Sequence, residues 1–270
     1  MKTRYTILFG IYLLFLCAGL PAAMTKDQIH LAYIQANEAF SKANKMIDDP
    51  NQAQTLYQQV ILGYQKIIQT GQIHNAKLYC NLANTYLLTG DLGRAILNYR
   101  RAQYLDSSNP DIHKNLNFAR SKRMDRFTVA TPKKILKRLF FWHYDFSIKT
   151  RLIVGGVCLS ILCIWLMLRM WIVKWPAVIP VCSVMALLLS GMIASVVIEQ
   201  HTLSTHRNGV IITEAVIARQ GDSENYPESF SESLHAGTEF EVIEQRPAWL
   251  HIKLSSDQNT WIPAYSAELI

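Results

Sequence analysis

Few side chains in this chain are spaced for covalent or metal chemistry. His201 and His206 lie little more than one helical turn apart, in a polar stretch without an acidic or cysteine partner at ligand spacing. Glu239 and Glu241 stand two residues apart and so share one face of a strand. A pair of carboxylates so placed could do acid–base work, but two acids on one strand face are more often simply solvated. Of the five cysteines, Cys17, Cys158, Cys163 and Cys182 lie in hydrophobic runs, which leaves Cys80 as the one thiol of a soluble part. No disulfide between soluble residues and no zinc spacing follows, and nothing near Cys80 in sequence would lower its pKa. There is no nucleophile elbow, no phosphate-binding glycine loop and no HExxH. No catalytic, cofactor-binding or metal-binding residue is assigned, and the chain reads as a non-enzyme whose chemistry is recognition.

The elements that would position recognition surfaces are organised around a hydrophobic hairpin. Residues 152–173 and 176–198 are two apolar runs joined around Lys174-Trp175-Pro176. Each has the roughly 20-residue length that spans a hydrocarbon core as a helix. Arg169 sits near the end of the first run, where a long side chain can snorkel to the interface. Two adjacent spans return the chain to the side it left, so the parts before and after face one compartment.

The 270 residues are 50% hydrophobic and 17% charged, with a formal net charge of +7. The charge is unevenly spread. From Glu199 onward four bases stand against eleven acids, a net of −7, and the rest of the chain carries +14. The basic part lacks the aromatic–basic pattern of a nucleic-acid module, so its charge is read as contact with a membrane surface or a partner, and no nucleic acid is expected.

At the N-terminus, Lys2 and Arg4 precede an apolar run and the small residues around Ala22-Ala23, so residues 1–23 read as a secretory signal peptide or an N-terminal anchor. Residues 24–126 are helical in pattern. Within them, Tyr79, Leu82, Ala83 and Tyr86 recur on one helical face, Gly90-Asp91 makes a turn, and Ala95, Tyr99 and Ala102 recur on a second helix. Small residues at 83 and 95 let two antiparallel backbones approach while the tyrosines fill the gaps. This pattern resembles the tetratricopeptide repeat. Pro110 to Arg120 repeats the first half of the motif and reads as a capping helix, with Lys114, Arg120, Lys122 and Arg123 as a polar outer face. Ala53, Tyr57 and Val60 mark a degenerate earlier repeat. The resemblance implies a groove lined by Lys77, Cys80, Asn84 and Lys114 that holds a peptide or partner helix.

Residues 127–151 form a basic connector in which Lys133, Lys134, Lys137 and Arg138 alternate with aliphatic and aromatic residues, as in a segment lying at the headgroups of membrane lipid. Its charge argues for a cytoplasmic placement, whereas the secretory signal argues for the outside. Long domains translocate largely regardless of charge, so the expectation is a bacterial inner-membrane protein with both soluble parts facing the periplasm.

Residues 208–270 change to short strands with turn signals. The Val216–Arg219 strand end, the Ala236-Gly237-Thr238 turn, Trp249–Leu254 and Trp261-Ile262-Pro263 resemble a bacterial SH3 domain. Trp249, Trp261 and Tyr265 are the candidate ligand-binding strip. Trp249 and Trp261 are equally candidates for the core, and Trp261 is read there first, since so small a domain needs its large residues inside. The fold expected overall is multi-domain: an all-α repeat array, a transmembrane α-hairpin and an all-β SH3-like barrel.

This order of segments, with Asn81–Tyr86, Ala95–Ala102 and Asn115–Arg120, is similar to the BatE proteins of the aerotolerance (Bat) family. The resemblance implies a membrane-bound scaffold in envelope or oxidative stress, working with von Willebrand A-domain proteins and a MoxR-type ATPase. The alternative is a sensor or anchor of the cell wall, with the SH3-like part on peptidoglycan. No cofactor is expected in either case.

Overall fold

The computed structural model describes residues 24–46, 48–125, 140, 146, 148–171, 178–205 and 207–270. The signal or anchor at 1–23, most of the basic connector, the turn around Trp175 and His206 lie outside the described residues. The chain divides into two compact units, Met1–His74 and Asn75–Ile270. Among the described residues there are seven α-helices and a curled five-stranded antiparallel sheet with a separate two-stranded ribbon.

The first unit holds α1 (Lys26–Lys45) and α2 (Pro50–Gln69). Thr25 caps α1 in a reciprocal box with Gln28, and Asp49 caps α2 with Pro50 in its first turn. The helices meet through buried Ala36, Ala43, Val60 and Tyr64. Tyr64 donates to Asn37 at 2.8 Å, and Phe40 packs edge-on against Tyr57.

The second unit begins with α3 (Ala76–Leu88), α4 (Leu92–Leu105) and α5 (Pro110–Ser121), capped by Asn75, Asp91 and Asn109. Ala83 and Ala95 are fully buried, and Tyr79, Tyr86 and Tyr99 are buried around them. The spacing that predicted close approach of two helices is therefore the spacing of the α3–α4 core.

Next come α6 (Ile148–Trp171) and α7 (Val178–Thr205), which pack antiparallel. Thr150–Met167 of α6 is long and apolar enough to cross a membrane, with a mean hydropathy of 2.0. The first helix starts before the expected span, inside the stretch read as connector. Arg151, the last residue of that stretch, is only 1% exposed. It donates to the Ser195 hydroxyl at 2.8 Å and to the Phe146 carbonyl at 3.0 Å, so a polar pair fixes the pairing of the two helices.

The sheet has the order β6-β5-β4-β1-β7, built from β1 (Arg207–Ile211), β4 (Glu239–Gln245), β5 (Trp249–Leu254), β6 (Asn259–Pro263) and β7 (Ala267–Leu269). The ribbon joins β2 (Ala215–Val216) to β3 (Leu234–His235). Ile211, Phe240, Leu250, Ile252, Leu254 and Ile262 fill its concave side. Along β5 the alternation is strict: Leu250, Ile252 and Leu254 point in, while Trp249, His251 and Lys253 point out. A bulge between Val242 and Glu244 breaks the alternation of β4.

Candidate functional site

The helical and sheet parts of the second unit meet along a charged seam. Arg94, Arg100 and Arg101 come from α4, Arg120 from α5, and Arg123 from the chain just beyond it. Glu239 of β4 receives three of them. Arg120 donates from Nε and Nη2 to its two oxygens at 2.7 Å each, Arg123 donates from Nη1 at 3.2 Å, and the Arg100 Nε lies 3.3 Å away. Its side chain is 16% exposed. Burial pushes the Glu239 carboxyl up, but the Arg120 hydrogen bonds and the charges of Arg120, Arg100 and Arg123 outweigh it and hold the group below its usual range.

Two further acids close the seam. Glu268 of β7 lies 3.7 Å from Arg94 and 3.6 Å from Arg101, and Arg101 also donates to the Leu269 carbonyl at 2.7 Å. That last bond covers part of the free edge of β7, which would otherwise offer unpaired backbone groups. On the helical side, Asp125 accepts from the His235 backbone N–H at 2.6 Å, from His235 Nδ1 at 2.8 Å and from the Thr238 hydroxyl at 2.6 Å. An ionised carboxylate only accepts, so the Nδ1 carries the proton. Burial raises the Asp125 pKa, yet the bonds from Thr238 and His235 prevail and lower it overall.

Close backbone approach makes the seam possible. A Cβ on Gly93 of α4 would stand 2.7 Å from the Ile211 carbonyl and 2.8 Å from the Ile212 Cα. Gly237 has φ +89°, and a Cβ there would meet Ile96 of α4 at 2.8 Å. Beside the contact, a cleft of about 200 Å³ opens between Arg100, Glu239, Glu241 and Lys253.

The seam corrects two expectations. Glu239 is not a solvated acid, because three guanidinium groups replace its water. Arg120 and Arg123 are not a solvated outer face of a capping helix, because the sheet covers them. No sequence spacing links these positions. The nearest available signal was the opposite sign of charge on the two sides of the hairpin.

The groove candidates are differently placed. Lys77 and Lys114 are exposed. The Asn84 amide oxygen accepts from the Tyr99 hydroxyl at 2.6 Å and from Asn115 at 3.4 Å, so this side chain ties α3 to α4 and α5. Cys80 is half-buried; burial raises its pKa, Asn115 hydrogen-bonds it in opposition, and the Asp111 charge raises it further. Such a thiol is a weak nucleophile.

Trp249, on the outer face of the sheet, is half-buried, and Tyr265, in the short 3-10 turn Ala264–Ser266, is 77% exposed. Trp261 is half-buried and outward-facing rather than in the core. Its place in β6 is out of phase with Thr260 and Ile262, which point inward. It stacks on His251 with ring centres 4.6 Å apart and planes 3° from parallel, and the Arg246 guanidinium lies 4.7 Å over its ring. Arg246 also pairs with Asp222 and Glu244. The indole is thus already engaged by neighbours.

Among the described residues, no three His, Cys, Asp or Glu side chains gather as a metal site. A scan of the chain against family models finds no match, and neither does a search of curated proteins.

Proposed function

We propose that the chain is a non-enzymatic, membrane-anchored scaffold that binds partner proteins. In this reading α1 to α5 are tetratricopeptide-type helices, the sheet is an SH3-like fold, and α6 and α7 both span the membrane. The observation that carries it is the Arg120–Glu239 contact. It joins the segment before the hairpin to the segment after it, so the chain between them crosses a membrane an even number of times. That supports two spans and a single compartment for both soluble parts. The exposed Lys77 and Lys114 support a groove left open to a partner while the sheet occupies the arginines.

The resemblance to BatE proteins makes von Willebrand A-domain membrane proteins and a MoxR-type ATPase complex the partners to test, in an aerotolerance or envelope-stress role, with the periplasm as the side. The exposed Tyr265 and the half-buried Trp249 favour a second reading, an aromatic strip for peptidoglycan. Co-purification from native membranes tests the scaffold. The full chain should retain an A-domain partner, and Lys77→Glu with Lys114→Glu should lose it while the membrane fraction of the chain is unchanged. Equal recovery with both proteins would remove the groove. Alkaline phosphatase fused after Arg126 and after Ile270 should be active at both places; activity at one alone would exclude the paired spans.

A further inference from the structure

We propose that the five-arginine face formed by α4, α5 and the residues just after α5 is a recognition site for an acidic polypeptide segment, and that the sheet occupies it in cis through Glu239 and Glu268. On the helical side, Arg94, Arg100, Arg101, Arg120 and Arg123 face the seam, with Asp91 and Asp125 beside them. The helical side therefore carries five guanidinium groups against two carboxylates, and the sheet answers with the paired Glu239 and Glu268 and with Glu241, which lines the same cleft as Arg100. Three guanidinium groups converge on Glu239.

Arginine clusters with bidentate geometry select carboxylates, as Arg120 does with both oxygens of Glu239. A second buried feature points the same way: the Arg100 Nε is shut from solvent and stands 3.3 Å from Glu239 without completing a hydrogen bond, at the wall of the cleft. The contact is polar and ion-rich, which is the character of interfaces that open and close within a chain. Because the sheet is tethered, its effective concentration is high and it holds the face until an acidic segment with several carboxylates competes. The proposal rests on the reading of the chain as a partner-binding scaffold, but it does not involve Lys77 or Lys114, so the groove test can fail without touching it.

The test uses the full chain in phosphatidylcholine nanodiscs at low ionic strength, with fluorescein-labelled hexaglutamate as the probe. Glu239→Gln with Glu268→Gln should speed amide exchange in Gly93–Arg101 and tighten probe binding at least tenfold, and adding Arg120→Gln should cancel that gain. In the unsubstituted chain, saturating hexaglutamate should speed exchange across Glu239–Gln245, since competition for one face is reciprocal. Faster exchange in the double variant without tighter probe binding would overturn the proposal. So would unchanged exchange of β4 in the unsubstituted chain with the probe bound.

Discussion

Glu239 accepts two hydrogen bonds of 2.7 Å from Arg120, a residue 119 positions earlier in the chain. Between them in sequence lies the whole helical hairpin. The pair is charge-assisted and bidentate, the geometry in which an arginine–carboxylate contact is strongest. It is also half-buried, so removing the acid alone leaves three guanidinium groups facing one another without the carboxylate they share.

Glu239→Gln is therefore expected to loosen the seam by about 2–4 kcal/mol, somewhat under the cost of breaking a fully buried pair because the arginines retain solvent. In a chain with several parts a single unfolding free energy is not defined. The measurement is amide exchange, where about 2 kcal/mol is roughly a thirtyfold loss of protection in β4 and α5. Glu232→Gln, at an exposed position, should leave the pattern as it is. Equal effects from both would mean that the seam is held by apolar contact alone.

The helical part was legible because its determinants are local. Ala83, Ala95 and the tyrosines at 79, 86 and 99 repeat at helical spacing, and all are buried. The strands of β5 were legible for the same reason, from the alternation of Leu250, Ile252 and Leu254 with outward residues. What could not be read was which polar residues meet across 100 or more positions. Arg120 on a helix and Glu239 on a strand each look solvated within their own element, and only the tertiary contact gives them partners. Trp261 shows the same limit: its size argued for the core, but its phase in β6 places it outside, where His251 and Arg246 shelter it.

Acid should open the seam. Asp125 and Glu239 both titrate below their ordinary values of 3.8 and 4.5 when folded. A group with a depressed folded pKa contributes stability that is present above its unfolded pKa and is lost as pH falls through its folded one. Between pH 7 and 5 these two carboxylates add no slope. Below about pH 4.5 their contribution declines, and exchange in α5 and β4 should accelerate. Glu239→Gln should remove part of that acid dependence and leave the part due to Asp125. A seam equally protected at pH 3 and pH 6 would rule out both groups as its supports.

Gly93→Ala separates helix propensity from packing. In a free helix alanine is better than glycine by about 1 kcal/mol. Here the added Cβ would meet backbone atoms of Ile211 and Ile212 under 3 Å away, and backbone cannot rotate aside as a side chain can. Overpacking of this kind costs about 1–3 kcal/mol, so the penalty outweighs the gain. The expected result is reduced exchange protection across β1 and β4 with α3–α4 packing intact. Increased protection across β1 would mean that propensity had won and that the approach of α4 to β1 is not close.

Arg246→Ala tests whether Trp261 is sheltered by its neighbours. The guanidinium lies over the indole and is held there by Asp222 and Glu244. Without it the ring keeps its stack on His251 but loses the cover over its surface. The chain has six tryptophans, so total fluorescence would blur the effect. With 5-fluorotryptophan incorporated, one fluorine resonance should move and become accessible to a soluble quencher. Trp261→Phe would identify that resonance by its disappearance. If an aromatic strip binds wall peptide, Arg246→Ala should raise retention of the full chain on purified peptidoglycan, because a stacking surface has been uncovered. An unmoved resonance would mean that the guanidinium does not cover the ring. A moved resonance with unchanged retention would leave Trp261 as a packing residue and weigh against wall binding by this face.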